Sequence, residues 1–329
     1  MAEVTLDDIR RGEQLPATGT AHGHVRLGDG RLARVAYAHD GDATAAGRLR
    51  TQAAAFRHLE PAGRTPKLHA LVEPQPGLPG GALIVDFIDG RPPLLPGELG
   101  AMAETLARIH GLPMPGAASP IPVQKDPFLE TLQVVELNAK RFLDRAVADE
   151  TARAQITDEL WWVREMAATL DLDRQPRAVA LADTHPGNFI VDRTGLAWFV
   201  DLEKVHIGSP AIDLAHATLR TSTLWHPDVG VELTREQTQG FYEDYLARIG
   251  SARAEALEPW LLPMRRLTWL RTTMFMARWR IETRSPRDPD NPAQWSDAGL
   301  DPRMKGHIDA RIDECFARET IRDIRGEWL

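Results

Sequence analysis

The sequence predicts a two-lobed α+β protein in which a small lobe with an antiparallel sheet precedes a larger, mainly helical lobe. Three observations support this prediction. Strand-like runs surround one helical pattern in residues 1–90, helical patterns dominate residues 91–329, and three short strand candidates interrupt the helical part at 178–201. A chain of 329 residues is also long enough for each lobe to bury a sizeable core.

The small lobe is predicted from short strands separated by turns. Residues 15–38 contain short strands, the sequence Gly-Asp-Gly at 28–30 is a hairpin turn, and small residues at 19–23 indicate a bend between the first two strands. The run "GALIVDFIDG" at 81–90 is typical of a buried strand that ends at a turn. One helix lies between these strands, with apolar residues at helical spacing: Leu49, Ala53, Phe56 and Leu59.

The larger lobe is predicted from helical patterns. Its first apolar stripe comprises Leu99, Met102, Leu106 and Ile109. The segment 264–284 mixes arginine with tryptophan and phenylalanine, which fits an amphipathic core helix better than the wall of a substrate site. The Pro- and Asp-rich segment 284–302 is long enough for a lid, although a passive surface loop explains it equally well.

The composition excludes several functional classes. With 39 Lys and Arg against 47 Asp and Glu, the net charge is −8, which argues against non-specific nucleic-acid binding. The only cysteine, Cys315, cannot form an internal disulfide or a cysteine-based zinc site. The first residues lack the apolar core of a secretory signal, and no run approaches the roughly 20 apolar residues of a membrane span. We therefore expect a cytoplasmic protein that binds neither membranes nor nucleic acid. The sequence does not indicate an oligomeric state.

Three polar residues between the strand candidates form the main candidate site. Asp183 ends one strand candidate, and a hairpin with its turn at 192–195 brings Asn188 and Asp201 to the same end. Carboxylate and amide oxygens suit Mg²⁺, which takes few protein ligands and completes its shell with water and phosphate. The remaining carboxylate could accept a proton from an attacking hydroxyl. This set predicts phosphoryl transfer, although Asp and Asn also occur in turns for purely local reasons.

The stretch around these residues resembles the aminoglycoside phosphotransferase and choline kinase-like family, which has the protein-kinase fold. The residues that match the family pattern in order are Asp183, His185, Asn188, Asp201, Glu203, Gly208, Pro210, Asp213, Leu214 and Ala215. The resemblance implies ATP and Mg²⁺ as cofactors, Asp183 as the catalytic base, and Asn188 and Asp201 as ligands of Mg²⁺. It also implies that Asp213 supports the catalytic loop. The role of Glu203 stays open between support of the metal site and a salt bridge.

Two parts of the sequence depart from the family pattern. Leu181 and Ala182 stand where the family usually has histidine and glycine, so the rigidity of the catalytic loop is in question. Arg34 falls where the family's phosphate-binding lysine belongs, and Gln52 falls near the glutamate that pairs with that lysine. Arginine keeps the positive charge with a different geometry, whereas an amide loses the ion pair. The alternative is that Arg34 is a solvated strand residue.

The resemblance also implies a nucleotide site in the first 90 residues. Asp86, Phe87 and Ile88 match the segment between the lobes whose backbone groups bind adenine, although an ordinary edge strand explains the same run. The bend at 19–23 resembles the nucleotide-binding loop but lacks the full glycine pattern. We therefore expect Arg34 and residues 86–88 to bind the nucleotide.

Three functions follow as hypotheses. The leading one is an ATP-dependent phosphotransferase that moves the γ-phosphoryl group to a hydroxyl of a small molecule, with a nucleotide-binding lobe at residues 1–90 and a catalytic, substrate-binding lobe at residues 91–329. The alternatives are a nucleotide-binding regulator with degraded kinase activity and a metal-dependent hydrolase that uses the same acids. The first leads because the base and both metal ligands of the pattern are present. The small hydroxylated substrate is not identified, because a fold does not determine its substrate.

Overall fold

Hydrogen bonds between short strands build the first part of the chain into an antiparallel sheet. The computed structural model describes residues 4–16, 22–38, 44–288, 291, 294–297 and 302–328. The first elements are α1 (Leu6–Arg11), β1 (Glu13–Gln14), β2 (His22–Arg26), β3 (Arg31–Ala36), α2 (Ala45–Leu59), β4 (Leu68–Val72) and β5 (Ala82–Asp86). Among the described residues, the strands of this sheet pair in the order β1-β2-β3-β5-β4, and every pair is antiparallel.

Strand β5 is the centre of the packing in this part of the chain. Its side chains alternate between the two faces of the sheet, as the pleat requires. Leu83 and Val85 join the large core together with α2, whereas Ala82 and Ile84 join a smaller apolar cluster on the other face. Burial on both faces explains why this strand is a continuous apolar run in the sequence. The predicted helix before it is also confirmed, because its four apolar residues are all buried in α2.

The chain leaves this sheet after β5 and continues into a larger part that is mainly helical. Its elements are β6 (Gly90–Arg91), α3 (Leu99–His110), α4 (Pro127–Ala146), α5 (Glu150–Thr169), β7 (Ala178–Ala180), β8 (Phe189–Asp192), β9 (Ala197–Phe199), β10 (His206–Gly208), α6 (Pro210–Thr218), α7 (Arg220–Thr223), α8 (Arg235–Ile249), α9 (Ser251–Arg284), α10 (Pro302–Cys315) and α11 (Arg318–Gly326). The predicted α+β architecture, with a small antiparallel sheet followed by a helical part, is confirmed.

Two small strand pairings position the loops of the helical part. Strand β8 pairs with β9 in a hairpin and with β6 on its other edge, and β7 pairs with β10. The three strand candidates predicted at 178–201 are therefore confirmed. Gly90 lies so close to β8 that a Cβ atom there would be 2.4 Å from the carbonyl oxygen of Val191, which requires glycine. The division into domains near residue 90 stays a prediction.

Helix α9 forms the centre of the helical core. It is 34 residues long and packs against α4 and α6. Trp269, Leu270 and Met274 on this helix are buried, so the prediction of a core helix at 264–284 is confirmed for this face. Among the helices whose residues the structure describes, none combines the length and apolarity that are needed to span a bilayer.

The buried thiol of Cys315 gives a direct test of how α10 packs. Cys315 is 8% exposed, and burial raises the pKa of its thiol to about 12. Because only the thiolate reacts, we expect a disulfide reagent at pH 8 to modify the native protein more than about a hundredfold more slowly than the urea-unfolded chain. The same reagent added to unfolded protein provides the control. Equal rates in both states would show that α10 does not cover this thiol.

Candidate active site

The buried carboxylate of Asp213 holds the loop that carries Asp183. Asp213 lies in α6 and is 0% exposed. Its two oxygens accept hydrogen bonds from the backbone N–H groups of Leu181 and Ala182, each at 2.7 Å. The hydroxyl of Thr184 donates to the backbone carbonyl of Asp213 at 2.6 Å. The loop that follows β7 is thus bonded to the first turns of α6.

A histidine from α3 completes the set of donors around Asp213. His110 Nε2 lies 2.9 Å from Asp213 Oδ2, and its Nδ1 lies 2.8 Å from the hydroxyl of Tyr245 in α8. Burial raises the pKa of Tyr245, and the negative charge of Asp213 adds to this effect. One buried carboxylate therefore connects the loop with three helices.

The loop itself has an unusual backbone conformation. Ala182 has a φ of +62°, in the left-handed region that glycine adopts more readily than alanine. This explains why the family pattern has glycine at the position. Arg271 on α9 donates to the carbonyl oxygen of Ala182 at 3.2 Å. The rigidity that the sequence put in question comes from Asp213 and Arg271, which bond to the loop backbone, and so does not need a histidine at position 181.

The β8–β9 hairpin brings Asn188 and Asp201 together beside this loop. The backbone N–H of Val200 donates to the carbonyl oxygen of Asn188 at 3.0 Å. The side-chain amide nitrogen of Asn188 donates to the backbone carbonyl of Asp183 at 2.8 Å, so the amide Oδ1 is the atom available to a cation. Asp183, Asn188 and Asp201 all line one cavity of about 480 Å³. These three residues therefore lie together, as the sequence predicted.

Arg34 on β3 reaches the same cavity. It is 4% exposed, and its Nη2 lies 2.8 Å from Asp201 Oδ1, while its Nη1 donates to the carbonyl oxygen of Val200. The alternative that Arg34 is a solvated strand residue is therefore wrong. Gln52 on α2 is buried and forms a hydrogen bond with His22. The carboxylate that pairs with Arg34 is thus Asp201, because Gln52 offers none.

Lys204 neutralises Asp183, a contact that the sequence reasoning missed. Its ammonium lies 2.5 Å from Asp183 Oδ2. Burial by itself would raise the pKa of Asp183, but the charge of Lys204, with smaller effects from His185 and His216, holds this pKa well below its ordinary value. The sequence offers a signal for this contact, because Lys204 stands within the motif, directly after Glu203. The carboxylate of Asp183 is ionised at neutral pH.

Two histidines of β2 also line the cavity and were missed. His22 and His24 are two residues apart on a strand, so their side chains share one face, and His24 is opposite Arg34 in the register. Burial lowers the pKa of each to about 4, and Arg34 adds to the shift. Burial also raises the pKa of Glu203 to about 7, and the negative charge of Asp201 contributes. The first residues of β2 are therefore part of the site.

Residues 86–88, which were expected to bind the nucleotide, do not line this cavity. Among the described residues, its wall does not include Asp86, Phe87 or Ile88. Asp86 Oδ1 lies 2.6 Å from His69 Nε2, and the N–H of Phe87 donates to the carbonyl oxygen of Gly30 at 2.9 Å. The assignment of these residues to adenine stays a prediction. The bend predicted at 19–23 lies partly outside the described residues, and Gly23 belongs to β2.

Aromatic side chains form part of the cavity wall. Phe275 and Trp279 of α9 line it together with Trp225 and Trp295. The rings of Phe275 and Trp295 have centroids 4.7 Å apart, and the guanidinium of Arg278 lies 4.1 Å from the centroid of Trp295. The segment 264–284 is therefore both a core helix and a cavity wall, so the preference for a core helix alone was incomplete. From the segment 284–302, Trp295 contributes to the same wall.

Comparison with known proteins gives a family model and a set of similar folds. The model described as "Phosphotransferase enzyme family" matches residues 22–259. No protein of curated function matches the chain by sequence. A choline/ethanolamine kinase family protein from Mesorhizobium loti is 17% identical, with 96% of this chain and 92% of that chain covered and a TM-score of 0.57.

Two aminoglycoside phosphotransferase structures are similar as well. The GDP complex of aminoglycoside 2'-phosphotransferase-IIIa is 14% identical, with 94% of each chain covered and a TM-score of 0.60. The ADP-bound APH(2'')-Ib is 13% identical, with 95% of each chain covered and a TM-score of 0.53. At these identities the similarity shows the fold, and the two-lobed kinase-like fold that the sequence predicted is confirmed.

The role of Asp213 can be tested with an isosteric substitution. In Asp213→Asn one carboxylate oxygen becomes an NH₂ group that faces a backbone N–H, so a buried donor loses its acceptor. Each such loss costs about 1–3 kcal/mol. We expect the free energy of unfolding in urea to fall by at least that amount. The exposed Asp173→Asn is the matched control and should stay within about 0.5 kcal/mol of the parent. Equal stability of the two variants would show that the hydrogen bonds of Asp213 to the loop do not stabilise the fold.

Proposed function

Because the chain belongs to the phosphotransferase enzyme family, we propose that it is an ATP- and Mg²⁺-dependent kinase that phosphorylates a hydroxyl of a small molecule. The observation that carries the proposal is the convergence of Asp183, Asn188 and Asp201 on one cavity. Asp183 lies in the loop after β7, and Asn188 and Asp201 flank the β8–β9 hairpin. Phosphoryl transfer requires a base and oxygen ligands for a metal ion. Asp183 can serve as the base, and Asn188 and Asp201 supply the oxygen ligands.

In this proposal Asn188 and Asp201 hold Mg²⁺ on the nucleotide side of the cavity. The fit rests on the donor set, because the amide oxygen of Asn188 and a carboxylate oxygen of Asp201 are hard ligands. Bound Mg²⁺ would neutralise negative charge on the transferred phosphoryl group. Arg34 is already fixed beside Asp201 at 2.8 Å, and its guanidinium group is suited to binding phosphate oxygens of the nucleotide as well.

Asp183 acts as the base toward the acceptor. Its carboxylate accepts the proton of the acceptor hydroxyl as that oxygen attacks the γ-phosphorus, and nucleoside diphosphate leaves. Asp213 and Arg271 hold the loop that positions Asp183, so neither needs to contact the substrate. The acceptor occupies the space between Asp183 and the aromatic wall of α9.

We also propose that residues 86–88 bind the nucleoside base. Residues 1–90 form the nucleotide-binding domain in this proposal, and residues 91–329 form the catalytic domain. The protein acts in the cytoplasm, where ATP is available.

The experiment that tests the function is an acceptor screen of the purified protein with Mg²⁺. ATP and GTP are each offered with hydroxylated metabolites that include choline, ethanolamine, sugars and aminoglycosides, and nucleoside diphosphate is measured. Acceptor-dependent release supports the kinase. Hydrolysis of nucleotide that no acceptor stimulates would favour the metal-dependent hydrolase instead. Nucleotide binding without turnover on any acceptor would favour the regulator.

The base assignment predicts a selective loss in Asp183→Asn. The variant keeps the size of the side chain but cannot accept the proton, so we expect the transfer rate to fall by about 10²–10⁴ while nucleotide affinity stays within about threefold of the parent. Transfer is measured by diphosphate release and affinity by calorimetry. Asp173→Asn again serves as the control for an Asp-to-Asn change on the surface. Near-normal transfer in Asp183→Asn would show that another group is the base.

The Lys204 contact predicts a shift of the pH profile. The ammonium lowers the pKa of Asp183, and the base works only when it is ionised. Removing the charge in Lys204→Met raises this pKa, so activity should be lost at a higher pH on the acidic side than in the parent. The profile of kcat/KM against pH measures the shift. An acidic limb at the same pH in both proteins would mean that Lys204 does not control the ionisation of Asp183.

A further inference from the structure

Three potential metal ligands meet where β2 approaches the segment after β9. His22 comes from β2, and Asp201 and Glu203 come from that segment. One ligating atom from each lies within 4.8 Å of the other two. We propose that these three side chains form a binding site for a divalent transition-metal ion of the Zn²⁺ and Co²⁺ class. The inference rests on these residues and is independent of the proposed kinase function.

The spacing within this trio suits a shared ion better than a direct hydrogen bond. His22 Nδ1 lies 3.7 Å from Glu203 Oε2, which is too long for a hydrogen bond. Two ligand atoms that are each about 2.1 Å from one ion lie roughly 3–4 Å apart. His22 is 5% exposed, so its imidazole is held in place and covered from bulk water. The trio needs only a small closure to surround an ion.

The donor types decide which ion the site prefers. Mg²⁺ and Ca²⁺ select oxygen ligands, whereas a neutral imidazole nitrogen favours Zn²⁺, Co²⁺ and similar ions. Asp201 and Glu203 each place one carboxylate oxygen within 4.8 Å of the His22 nitrogen and of each other. One nitrogen and two carboxylate oxygens leave further coordination positions for water. The trio therefore differs in chemistry from the all-oxygen pair of Asn188 and Asp201.

Arg34 limits how the ion enters. Its Nη2 holds Asp201 Oδ1 at 2.8 Å, so we assign the other carboxylate oxygen of Asp201 to the ion. The guanidinium charge lowers the affinity for any cation at this position without blocking Oδ2. Because Asp201 also belongs to the proposed Mg²⁺ site, a transition-metal ion in the trio would compete with Mg²⁺ and nucleotide for it.

The test is a titration of the full-length, tag-free, metal-stripped protein with Co²⁺ in the absence of nucleotide and acceptor. Binding is followed by visible absorption of the Co²⁺ ion and then by its displacement with Zn²⁺. We expect Co²⁺ to bind in the presence of excess Mg²⁺ and Zn²⁺ to displace it. His22→Ala and Glu203→Gln should each weaken Co²⁺ binding by at least about tenfold, the lower bound for disturbing a metal site.

His24→Ala is the matched control, because His24 is on the same strand, lines the same cavity and is outside the trio. It should bind Co²⁺ as the parent does. Circular dichroism melts identify any variant that fails to fold, and Glu203→Gln, which keeps the shape of the side chain, provides a second test if His22→Ala does not fold. The site is refuted if the parent does not bind Co²⁺ in excess Mg²⁺. It is also refuted if His22→Ala or a folded Glu203→Gln binds Co²⁺ as tightly as the parent. A loss of Co²⁺ affinity in His24→Ala as large as that in His22→Ala would refute it as well. None of these results depends on phosphoryl transfer.

Discussion

The buried carboxylate of Asp213 is the interaction on which the rest of the site depends. A charge that is fully removed from water is tolerated only when hydrogen bonds replace its hydration. Here two backbone N–H groups of the loop and one histidine supply them. The requirement acts in both directions, because the loop satisfies the carboxylate and the carboxylate determines the path of the loop. These hydrogen bonds position Asp183, although Asp213 itself does not line the cavity.

Charge pairing is the second constraint on the cavity. Each of the two acids central to the proposal already has a cation from its own chain, Lys204 for Asp183 and Arg34 for Asp201. Such pairing allows both acids to stay ionised in a partly buried site, where isolated carboxylates would take up protons. It also means that any metal or phosphate entering the cavity meets a site with little net charge. A metal ion or phosphate group that binds here must therefore rearrange these ion pairs, because the carboxylates are already paired.

The aromatic wall shows that one helix can serve stability and recognition together. Trp269 of α9 packs in the core, whereas Phe275 and Trp279 of the same helix face the cavity. The rigidity of the wall therefore comes from the core behind it. Aromatic residues stand on both faces of the segment 264–284, so their presence in the sequence does not distinguish the core face from the cavity face. This is why the pattern favoured a core helix and did not reveal the wall.

The sequence by itself determined most of the helices and strands and the meeting of Asp183, Asn188 and Asp201. Strand and helix periods are local, and they predicted α2, α3, β5 and the three short strands near residue 190. A hairpin joins residues that are close in the chain, so the meeting of Asn188 and Asp201 followed from strand length alone. The match of Asp213 to the family pattern likewise predicted its support of the loop.

Only the tertiary structure decided which distant side chains complete the site. Arg34 and Asp201 are 167 positions apart, and no local period indicates that β3 meets the segment after β9. No local period indicates that His22 lies beside Glu203 either. Strand β5 is predicted correctly, but the sequence did not show that residues 86–88 are outside the lining of the cavity. The physical reason is that periodicity encodes which face of an element is buried, whereas the partner of that face is chosen by the packing of the whole chain.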